Sequence, residues 1–231
     1  MKLLGLIGGM SPESTVPYYR LLNRHVGERL GGLHSARLLL YSVDFADIAA
    51  LQAQDRWAEA GELLADAARR LRGAGAQAIV LCTNTMHEVA PAIEAAVDIP
   101  LLHIADPTAA AIRAAGLERI GLLGTRFTME RDFYRDRLAD HGIATLVPDA
   151  DGRERVHRAI YDELCRGVFA APTRAAFVRV VQALVERGAQ GIVFGCTEIG
   201  LLLGPDDCPV PCFDTAALHA LAAVEFALAP D

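Results

Sequence analysis

Two segments of the sequence, GAQAIVLCTNT at 75–85 and GAQGIVFGCTE at 188–198, share most of their residues. When they are aligned, Thr83 lies opposite Cys196. Both residues end a short apolar run and precede polar residues that open a predicted helix. A thiol at a helix N-terminus has a lowered pKa and becomes a usable base or nucleophile. Cys196 is therefore the first candidate for chemistry, although a buried cysteine is more often a small hydrophobic side chain.

Polar groups and one further thiol surround this aligned pair. The threonine is followed by Asn84 and Thr85, and the cysteine is followed by Thr197 and Glu198. Glu198 either orients the thiol or a substrate ammonium, or it caps the helix. Cys82 comes one residue before the aligned threonine, so strand alternation directs it to the opposite side. We interpret Cys82 as a packing residue.

The segment GLIGGMSPES at 5–14 also follows a predicted strand and opens a helix. It contains neither GxGxxG nor a P-loop lysine, so it gives little support for nucleotide binding. Ser11 is predicted as a helix N-cap and Pro12 as the first helical residue. The backbone N–H groups of such an N-terminus suit a carboxylate, and a tight turn without a ligand is the alternative.

The composition is that of a globular protein, with 52% hydrophobic residues and a formal net charge of -7. The negative charge argues against nucleic acid as a partner. No apolar run reaches the roughly 18 residues of a membrane helix, and the N-terminal MKLLGLIGGM is interpreted as a buried strand, not a signal peptide. Five cysteines without an export signal predict reduced thiols in the cytoplasm. No Cys/His cluster has convincing metal spacing, so no metal site is expected.

Short apolar runs alternate with longer amphipathic segments along the chain. This alternation is typical of parallel sheets with helices on both faces. The predicted strands are 2–7, 37–43, 78–82, 100–104, 119–123, 143–147, 191–195 and 210–213. The predicted helices include 13–30, 55–73, 86–96, 107–115, 128–141, 153–166, 173–187 and 215–228.

The two halves of the chain repeat. KLLGLIGG at 2–9 resembles RIGLLGT at 119–125, and IPLLHIAD at 99–106 resembles CPVPCFD at 208–214. Together with the aligned Thr/Cys segments, these are three matched pairs in the same order. The long period fits a duplicated α/β half and not a solenoid.

The repeat predicts an α/β protein of two pseudo-symmetric lobes, each a four-stranded parallel sheet flanked by helices. The first lobe is predicted at 1–106 plus 215–231, and the second at 107–214. Ligands of open parallel sheets bind beyond the carboxyl ends of the strands. The active site is therefore expected in the cleft between the lobes.

The sequence resembles the aspartate/glutamate racemase family over essentially its whole length. The resemblance is strongest to bacterial broad-specificity or L-Asp/L-Glu amino-acid racemases with a Thr/Cys catalytic pair. The segments that carry it are GLIGGMSPEST (5–15), PYYRL (17–21), RLGGLHSA (29–36), SVDF (42–45), LCTNTMH (81–87), LHIAD (102–106), LLGTRFTM (122–129), ELC (163–165), FGCTEIGLL (194–202) and FDTAA (213–217).

The resemblance implies a cofactor-independent isomerase, a homodimer, that acts on a small amino-acid substrate. The family's two catalytic cysteines fall on Thr83 and Cys196, so Cys196 is expected to be the strong base and Thr83 the weak group on the opposite face of the substrate α-carbon. The carbanion-like intermediate needs backbone N–H groups and polar side chains around it. The residues expected to bind substrate are Met10, Ser11, Gln52, Asn84, Thr85, Thr125, Thr197 and Glu198. Gln52 is taken from the resemblance, and a solvated helix-start residue is its alternative.

The substrate side chain stays open. Classical aspartate racemases carry an Arg after the second strand and a Lys in the second lobe, which hold the distal carboxylate. Here the first stretch, 44–50, has no basic residue, and Cys165 stands at the lysine position beside Arg166. Aspartate or glutamate is preferred, and homoserine or another neutral amino acid remains an alternative.

Two further functions remain as alternatives. One is a single-cysteine decarboxylase of substituted malonates, and the other is a non-catalytic protein that binds small carboxylates.

Two other features are given simple structural interpretations. His87 is interpreted as a helix cap. A solvated, salt-bridged helix face is predicted for Arg126, Glu130, Arg131, Asp132, Arg135, Asp136 and Arg137.

Overall fold

A computed structural model describes residues 1–230 and divides into two compact units. Unit 1 contains Met1–His103 and the residues from His219 onward, and unit 2 contains Ile104–Leu218. These limits lie a few residues from the lobe limits that the sequence predicts. The division into lobes at those residues stays a prediction.

Unit 1 is built on a four-stranded parallel sheet with strand order β2-β1-β3-β4. β1 and β3 are central and completely buried, which is why both appear in the sequence as unbroken apolar runs. The strands are β1 (Leu4–Gly8), β2 (Leu38–Ser42), β3 (Ala78–Leu81) and β4 (Leu101–Leu102).

The helices of unit 1 cover this sheet and supply most of its core. Leu64 and Leu71, on the third helix, pack with Ile7, Ile79 and Leu81 of the central strands. The helices are α1 (Pro12–Leu30), α2 (Phe45–Ala53), α3 (Trp57–Gly73) and α4 (Ala90–Ala96), with a 3-10 helix at Thr85–Val89.

Unit 2 has a second four-stranded parallel sheet, with order β6-β5-β7-β8. Its strands are β5 (Arg119–Gly124), β6 (Ala144–Leu146), β7 (Gly191–Gly195) and β8 (Cys212–Asp214). Its helices are α5 (Ala105–Ala114), α6 (Arg126–Glu130), α7 (Asp132–Ala139), α8 (Ala150–Asp162), α9 (Ala171–Glu186) and α10 (Ile199–Leu202), with 3-10 helices at Leu164–Arg166 and Pro205–Asp207. Helix α11 (Thr215–Leu228) begins in unit 2 and continues into unit 1.

The two sheets have the same topology. In each sheet the first and third strands of the unit are central, and the second and fourth strands form the two edges. The predicted fold class, with two four-stranded parallel sheets flanked by helices, is confirmed. The matched sequence pairs correspond to β1 and β5, β3 and β7, and β4 and β8.

The helix boundaries differ from the predictions in two informative places. The predicted helix 128–141 is broken at Arg131, whose extended backbone separates α6 from α7. Helix α2 was not predicted; Asp44 caps it by accepting a hydrogen bond from Ala46 N at 2.9 Å. Among residues 1–230, no helix is long and apolar enough to cross a membrane.

Candidate active site

Three predicted site residues meet directly after β7 in unit 2. The Cys196 thiol donates a hydrogen bond to Glu198 Oε2 at 3.0 Å, and the Thr197 hydroxyl donates to the same oxygen at 2.8 Å. Glu198 has only 2% of its surface exposed. A buried carboxylate is costly unless hydrogen bonds satisfy it, so these donors stabilise Glu198 in its position.

A second thiol contacts the same carboxylate. Cys165, in the 3-10 helix Leu164–Arg166, donates to Glu198 Oε1 at 3.3 Å. The resemblance puts Cys165 at a family lysine position but gives no sign of this contact, because a separation of 33 residues leaves no spacing signal. We refer to Cys165, Cys196, Thr197 and Glu198 as the Cys196 cluster.

The expected lowering of the Cys196 pKa is wrong. Burial raises the pKa of this thiol well above its usual range, and the charge of Glu198 and the neighbouring Cys165 raise it further. Helix α10 begins only at Ile199 and has four residues, so it offers little dipole to oppose these effects. Cys196 is therefore a protonated thiol at neutral pH in this arrangement, with a proton acceptor beside it.

The pairing of β5 with β7 brings Thr125 beside Cys196. Gly124 and Gly195 are partners in the parallel register, and neighbouring strands lie about 4.8 Å apart. The close approach requires glycine, because a Cβ on Gly195 would lie 2.9 Å from the carbonyl oxygen of Leu123. The Thr125 side chain also caps α6. The predicted residue Thr125 thus lies at the same sheet edge as the Cys196 cluster.

Two aromatic rings and an arginine extend this edge. The rings of His157 and Tyr161 are 4.9 Å apart, and Arg126 N donates to His157 Nδ1 at 3.2 Å. Burial raises the pKa of Tyr161, the thiols and the carboxylate of the Cys196 cluster raise it further, and the charge of Arg126 lowers it. Tyr161 therefore lies within electrostatic reach of both the cluster and Arg126.

The predicted salt-bridged face on α6 and α7 forms only in part. Arg135 pairs with Asp132, and Arg137 pairs with Asp106 at 2.7 Å. Arg126 differs, because no carboxylate among residues 1–230 pairs with its guanidinium, which instead lies 5.6 Å from the ring of Phe127. The prediction of an ion-paired surface residue is thus wrong for Arg126.

In unit 1, Thr83 follows β3 as Cys196 follows β7, and each has 7% of its surface exposed. The Thr83 carbonyl accepts a hydrogen bond from His87 Nδ1 at 2.8 Å. A carbonyl oxygen can only accept, so the proton of His87 lies on Nδ1. The interpretation of His87 as a helix cap is therefore wrong: its ring fixes the backbone of the candidate catalytic residue.

His87 belongs to a group of three histidines that the sequence did not reveal, of which His87 and His219 are buried and His103 is partly exposed. The ring centroid of His87 lies 4.4 Å from that of His103 and 6.1 Å from that of His219. His219 Nε2 donates to the Leu102 carbonyl at 2.7 Å, so its Nδ1 accepts from the Tyr18 hydroxyl at 2.8 Å. Burial lowers the pKa of His87, and the two neighbouring histidines lower it further.

The remaining polar residues after β3 are buried with Thr83. Asn84 and Thr85 have 2% and 5% of their surfaces exposed, and Thr85 begins the 3-10 helix. Cys82 is completely buried, and burial raises the pKa of its thiol. This environment agrees with the interpretation of Cys82 as a packing residue.

A glycine and two hydrogen bonds shape the loop after β1. Gly9 has a φ of 92°, and a Cβ there would lie 2.3 Å from the Val43 carbonyl oxygen. Gly9 N donates to Thr15 Oγ1 at 2.8 Å, and that hydroxyl donates to the Ser11 carbonyl at 2.9 Å. Ser11 is the N-cap of α1, as predicted, and Met10 is buried beside it.

Gln52 lies in the last turn of α2 and is 4% exposed. Its Nε2 donates to Met86 Sδ at 3.0 Å. The alternative of a solvated residue at a helix start is therefore wrong. Met86 belongs to the 3-10 helix that follows Thr83, so this contact links Gln52 to that segment of unit 1.

Each unit thus collects its own predicted residues near the carboxyl ends of neighbouring strands. Unit 1 holds Met10, Ser11, Gln52, Thr83, Asn84 and Thr85, and unit 2 holds Thr125, Cys196, Thr197 and Glu198. A surface groove of about 550 Å³ lies elsewhere on unit 2, between α8 and α9, with Arg155, Asp162 and Phe177 in its lining. It contains none of the predicted site residues.

From residue 7 to residue 223 the sequence matches the family model described as Asp/Glu/hydantoin racemase. The chain belongs to this family. A crystal structure from Yersinia pestis, provisionally assigned as an Asp/Glu racemase, is 57% identical, has a TM-score of 0.91 and covers 99% of this chain and 100% of that one.

Two other relatives of this racemase-family chain are more distant. The structure of an aspartate racemase homologue from Pyrococcus horikoshii is 32% identical, with a TM-score of 0.82 and coverage of 98% of this chain and 99% of that one. The broad specificity amino-acid racemase RacX of Bacillus subtilis is 24% identical over 98% of this chain and 99% of its own length. The predicted enzyme class, an isomerase of the amino-acid racemase type, is confirmed.

Proposed function

We propose that this racemase needs no cofactor and moves the α-proton of aspartate, glutamate or a related amino acid between two groups, Cys196 and Thr83. The Cys196 cluster is the observation that carries the proposal, because it places a thiol 3.0 Å from a buried carboxylate at the end of a strand. Such a pair holds one mobile proton and can exchange it with a substrate carbon. The relatives named for aspartate, and for broad amino-acid specificity, support this substrate range.

Glu198 lets a thiol of raised pKa act as a base. The Cys196 proton moves to Glu198, which leaves a thiolate and a neutral carboxylic acid. The thiolate then removes the α-proton and becomes a thiol again, and the electron pair of the C–H bond stays on the substrate as a carbanion. Every proton is accounted for within the pair and the substrate, so the chemistry of this half-reaction requires no outside base.

The substrate ammonium helps to start this step. A positive charge close to the Cys196 sulfur favours the thiolate and opposes the effect of the Glu198 charge, which raises the pKa of this thiol. The thiolate is therefore more accessible when an amino acid is bound than when the site is empty. This coupling confines the reactive thiolate to the occupied site.

Thr83 serves the opposite face of the α-carbon as the weaker group. Its hydroxyl is far more basic as an anion than a thiolate, so it is not ionised at neutral pH without a partner. The Thr83 hydroxyl returns a proton to the α-carbon directly or through an ordered water. His87 holds the backbone of Thr83 in place through the 2.8 Å hydrogen bond to its carbonyl. The two enantiomers are therefore handled unequally.

The carbanion is stabilised by neutral hydrogen-bond donors. Aligned donors in a dry site stabilise developing charge without the cost of reorganising solvent. We assign this role to the backbone N–H groups of Met10 and Ser11 and to the side chains of Asn84, Thr85, Thr125 and Thr197. Gln52 is assigned a supporting contact with the substrate.

The proposal is tested by incubating purified protein, with no cofactor added, with single enantiomers of aspartate and glutamate. Chiral chromatography should show the opposite enantiomer accumulating, and Cys196→Ser should abolish it. Cys82→Ser, which changes a cysteine assigned to packing, is the matched control and should retain turnover. Racemisation that survives in Cys196→Ser would contradict the mechanism.

The same variant separates the alternatives. The decarboxylase alternative is supported only by the presence of one catalytic thiol where the family has two. Such an enzyme would release carbon dioxide from a substituted malonate and would not racemise an amino acid. A binding protein would retain its affinity for a carboxylate in Cys196→Ser and show no turnover in either form.

The quaternary state and the compartment complete the proposal. We propose a homodimer, as the family resemblance implies, and size-exclusion chromatography with light scattering measures its mass. All five cysteines are free thiols, which supports the reducing environment of a cytoplasm.

A further inference from the structure

The edge of the unit 2 sheet that holds Cys196 also carries a cation. Gly124 and Gly195 are partners in the β5–β7 register, so Arg126 lies two residues beyond this pair and Cys196 one residue beyond it. With strands about 4.8 Å apart, an arginine side chain at this position can reach a small molecule that contacts the thiol. Arg126 is exposed at the start of α6.

A chain of contacts links Arg126 to the Cys196 cluster. Arg126 N donates to His157 at 3.2 Å, and the His157 ring lies 4.9 Å from the Tyr161 ring. Tyr161 lies near the end of α8, shortly before Cys165 in the chain, and the Cys165 thiol donates to Glu198 at 3.3 Å. These contacts place Arg126 on the border of the cluster and not on a remote surface.

The guanidinium of Arg126 forms no ion pair with the described residues. Among residues 1–230, no carboxylate pairs with its guanidinium, whereas the neighbouring Arg135, Arg137 and Arg153 each pair with an acid. The Cys196 cluster contributes thiols, a hydroxyl and the Glu198 carboxylate, and the imidazole of His157 lies beside the Arg126 backbone. Within the described chain, Arg126 is thus a cation without an ion-pair partner, near a site whose proposed substrates are anions.

We infer that Arg126 binds the side-chain carboxylate of an acidic amino-acid substrate and sets the preference for dicarboxylic over neutral amino acids. This inference rests on the proposed racemase function. A guanidinium donates two parallel N–H hydrogen bonds to the two oxygens of a carboxylate. A neutral side-chain amide has only one oxygen and no negative charge, so it binds the guanidinium less well.

The position of Arg126 favours the distal carboxylate over the α-carboxylate. The α-carboxylate is bonded to the carbon that exchanges its proton with Cys196, so its partners must adjoin the thiol. Thr125 occupies that position, because it lies one residue beyond Gly124 as Cys196 lies one residue beyond Gly195. Arg126 lies one residue farther out, where the end of a longer substrate would lie.

The experiment compares aspartate with asparagine, and glutamate with glutamine, in the wild type and in Arg126→Gln. Each pair differs only in the charge and hydrogen bonding of the side-chain terminus. In Arg126→Gln, KM for aspartate or glutamate should rise by roughly 10- to 100-fold, which is the usual worth of a charge-assisted hydrogen bond. kcat should change far less, and α-proton exchange of the amides should stay at the wild-type rate.

Arg113→Gln is the matched control. Arg113 is an exposed arginine in the last turn of α5, near the amino end of β5 and therefore at the opposite sheet edge. The Arg113→Gln variant loses one arginine charge, as Arg126→Gln does, and its KM and kcat should equal those of the wild type. Arg126→Lys keeps the charge but loses the paired donors, and its KM should lie between those of the wild type and Arg126→Gln. Circular dichroism and urea unfolding verify that each variant is folded.

Three results would overturn the inference. In the first, KM for the acids is unchanged in Arg126→Gln. In the second, the variant loses the same factor on acids and amides. In the third, the wild type exchanges the α-proton of neutral amino acids but not of aspartate or glutamate, which would leave the racemase mechanism intact. No exchange by the wild type with any amino acid would instead contradict the proposed function, and the inference with it.

Discussion

At the residue scale, the pKa of Cys196 depends first on burial and then on one neighbouring carboxylate. The sequence identified Cys196 and Glu198 as neighbours but gave the pKa shift the wrong sign. A helix N-terminus would have lowered the pKa, whereas burial and the Glu198 charge raise it. That balance depends on the side-chain direction of Glu198 and on Cys165, which joins it from another part of the chain. Neither could be predicted from spacing.

Glu198→Gln tests this arrangement. Replacing the carboxylate with an amide removes the charge that raises the pKa of Cys196, so the thiol should titrate at lower pH. Turnover should nevertheless fall by about 10²- to 10⁴-fold, because the proton acceptor is lost. Alkylation of the Cys196 peptide with iodoacetamide at several pH values, followed by mass spectrometry, measures the first effect. Chiral chromatography measures the second.

The matched control for Glu198→Gln is Glu186→Gln, at an exposed position near the end of α9. It should leave both the alkylation profile and turnover at wild-type values. A pKa of Cys196 that stays the same or rises in Glu198→Gln would contradict the assigned cause. Full turnover in that variant would exclude Glu198 as the proton acceptor.

At the element scale, the central strands were predictable and several helices were not. β1, β3, β5 and β7 are apolar runs bounded by glycine or polar residues, so their type and approximate limits follow from the sequence. α2 was missed, and with it the burial of Gln52. The break between α6 and α7 was missed because the helical spacing of charges continues through Arg131, whose extended backbone has no sequence signal.

The carboxyl ends of β5 and β7 must approach closely for Thr125 and Cys196 to share one edge. In Gly195→Ala, the new Cβ would lie 2.7 Å from Leu122 Cδ1 and 2.9 Å from the Leu123 carbonyl oxygen. The leucine side chain can move, but the backbone oxygen cannot do so cheaply. The free energy of unfolding should fall by about 1–3 kcal/mol, and turnover should fall as Cys196 is displaced.

Urea unfolding followed by circular dichroism measures the change in stability. Gly73→Ala, at the end of α3, is the control because, apart from its chain neighbours and the backbone of its own helix, no atom lies within 4 Å of the added Cβ. That variant should be as stable as the wild type or slightly more stable, because alanine is the better helix former. Equal stability of the wild type and Gly195→Ala would contradict the packing assigned to these strand ends.

At the scale of the whole molecule, the buried side chain of His87 makes stability depend on pH. The pKa of His87 is lowered in the folded protein by burial and by two nearby histidines, whereas in the unfolded chain it is near 6.5. As the pH falls below about 6.5, the unfolded chain takes up a proton that folded His87 does not bind. The free energy of unfolding should therefore fall with pH, by up to about 1.4 kcal/mol per pH unit.

Urea unfolding between pH 5 and pH 8 tests this dependence in the wild type and in His87→Asn. The asparagine amide can replace the donor to the Thr83 carbonyl but does not titrate in this range. The variant should therefore have a shallower loss of stability below pH 6.5. An identical pH dependence in both proteins would contradict a buried, neutral His87.

The duplicated topology and the family were predictable because their signals extend over the whole chain. Three repeated segments predicted two similar lobes, each with a four-stranded parallel sheet, and the quoted motifs predicted the racemase family. The hydrogen-bond partners of the site were not predictable, because Cys165 and Glu198, like Tyr18 and His219, meet only after folding. Local patterns of apolar and polar residues predict strands and helices, but they carry no information about contacts between side chains that are distant in the sequence.

The most direct test of the central claim is α-proton exchange from single enantiomers in D₂O, followed by proton NMR with no cofactor added. If Cys196 is the competent base and Thr83 the weak group on the opposite face, one enantiomer of aspartate or glutamate should lose its α-proton signal much faster than the other. Thr83→Ala should slow the slower enantiomer further, while Cys196→Ser abolishes the faster exchange. Equal exchange of both enantiomers by the wild type, or none from any amino acid, would contradict the claim.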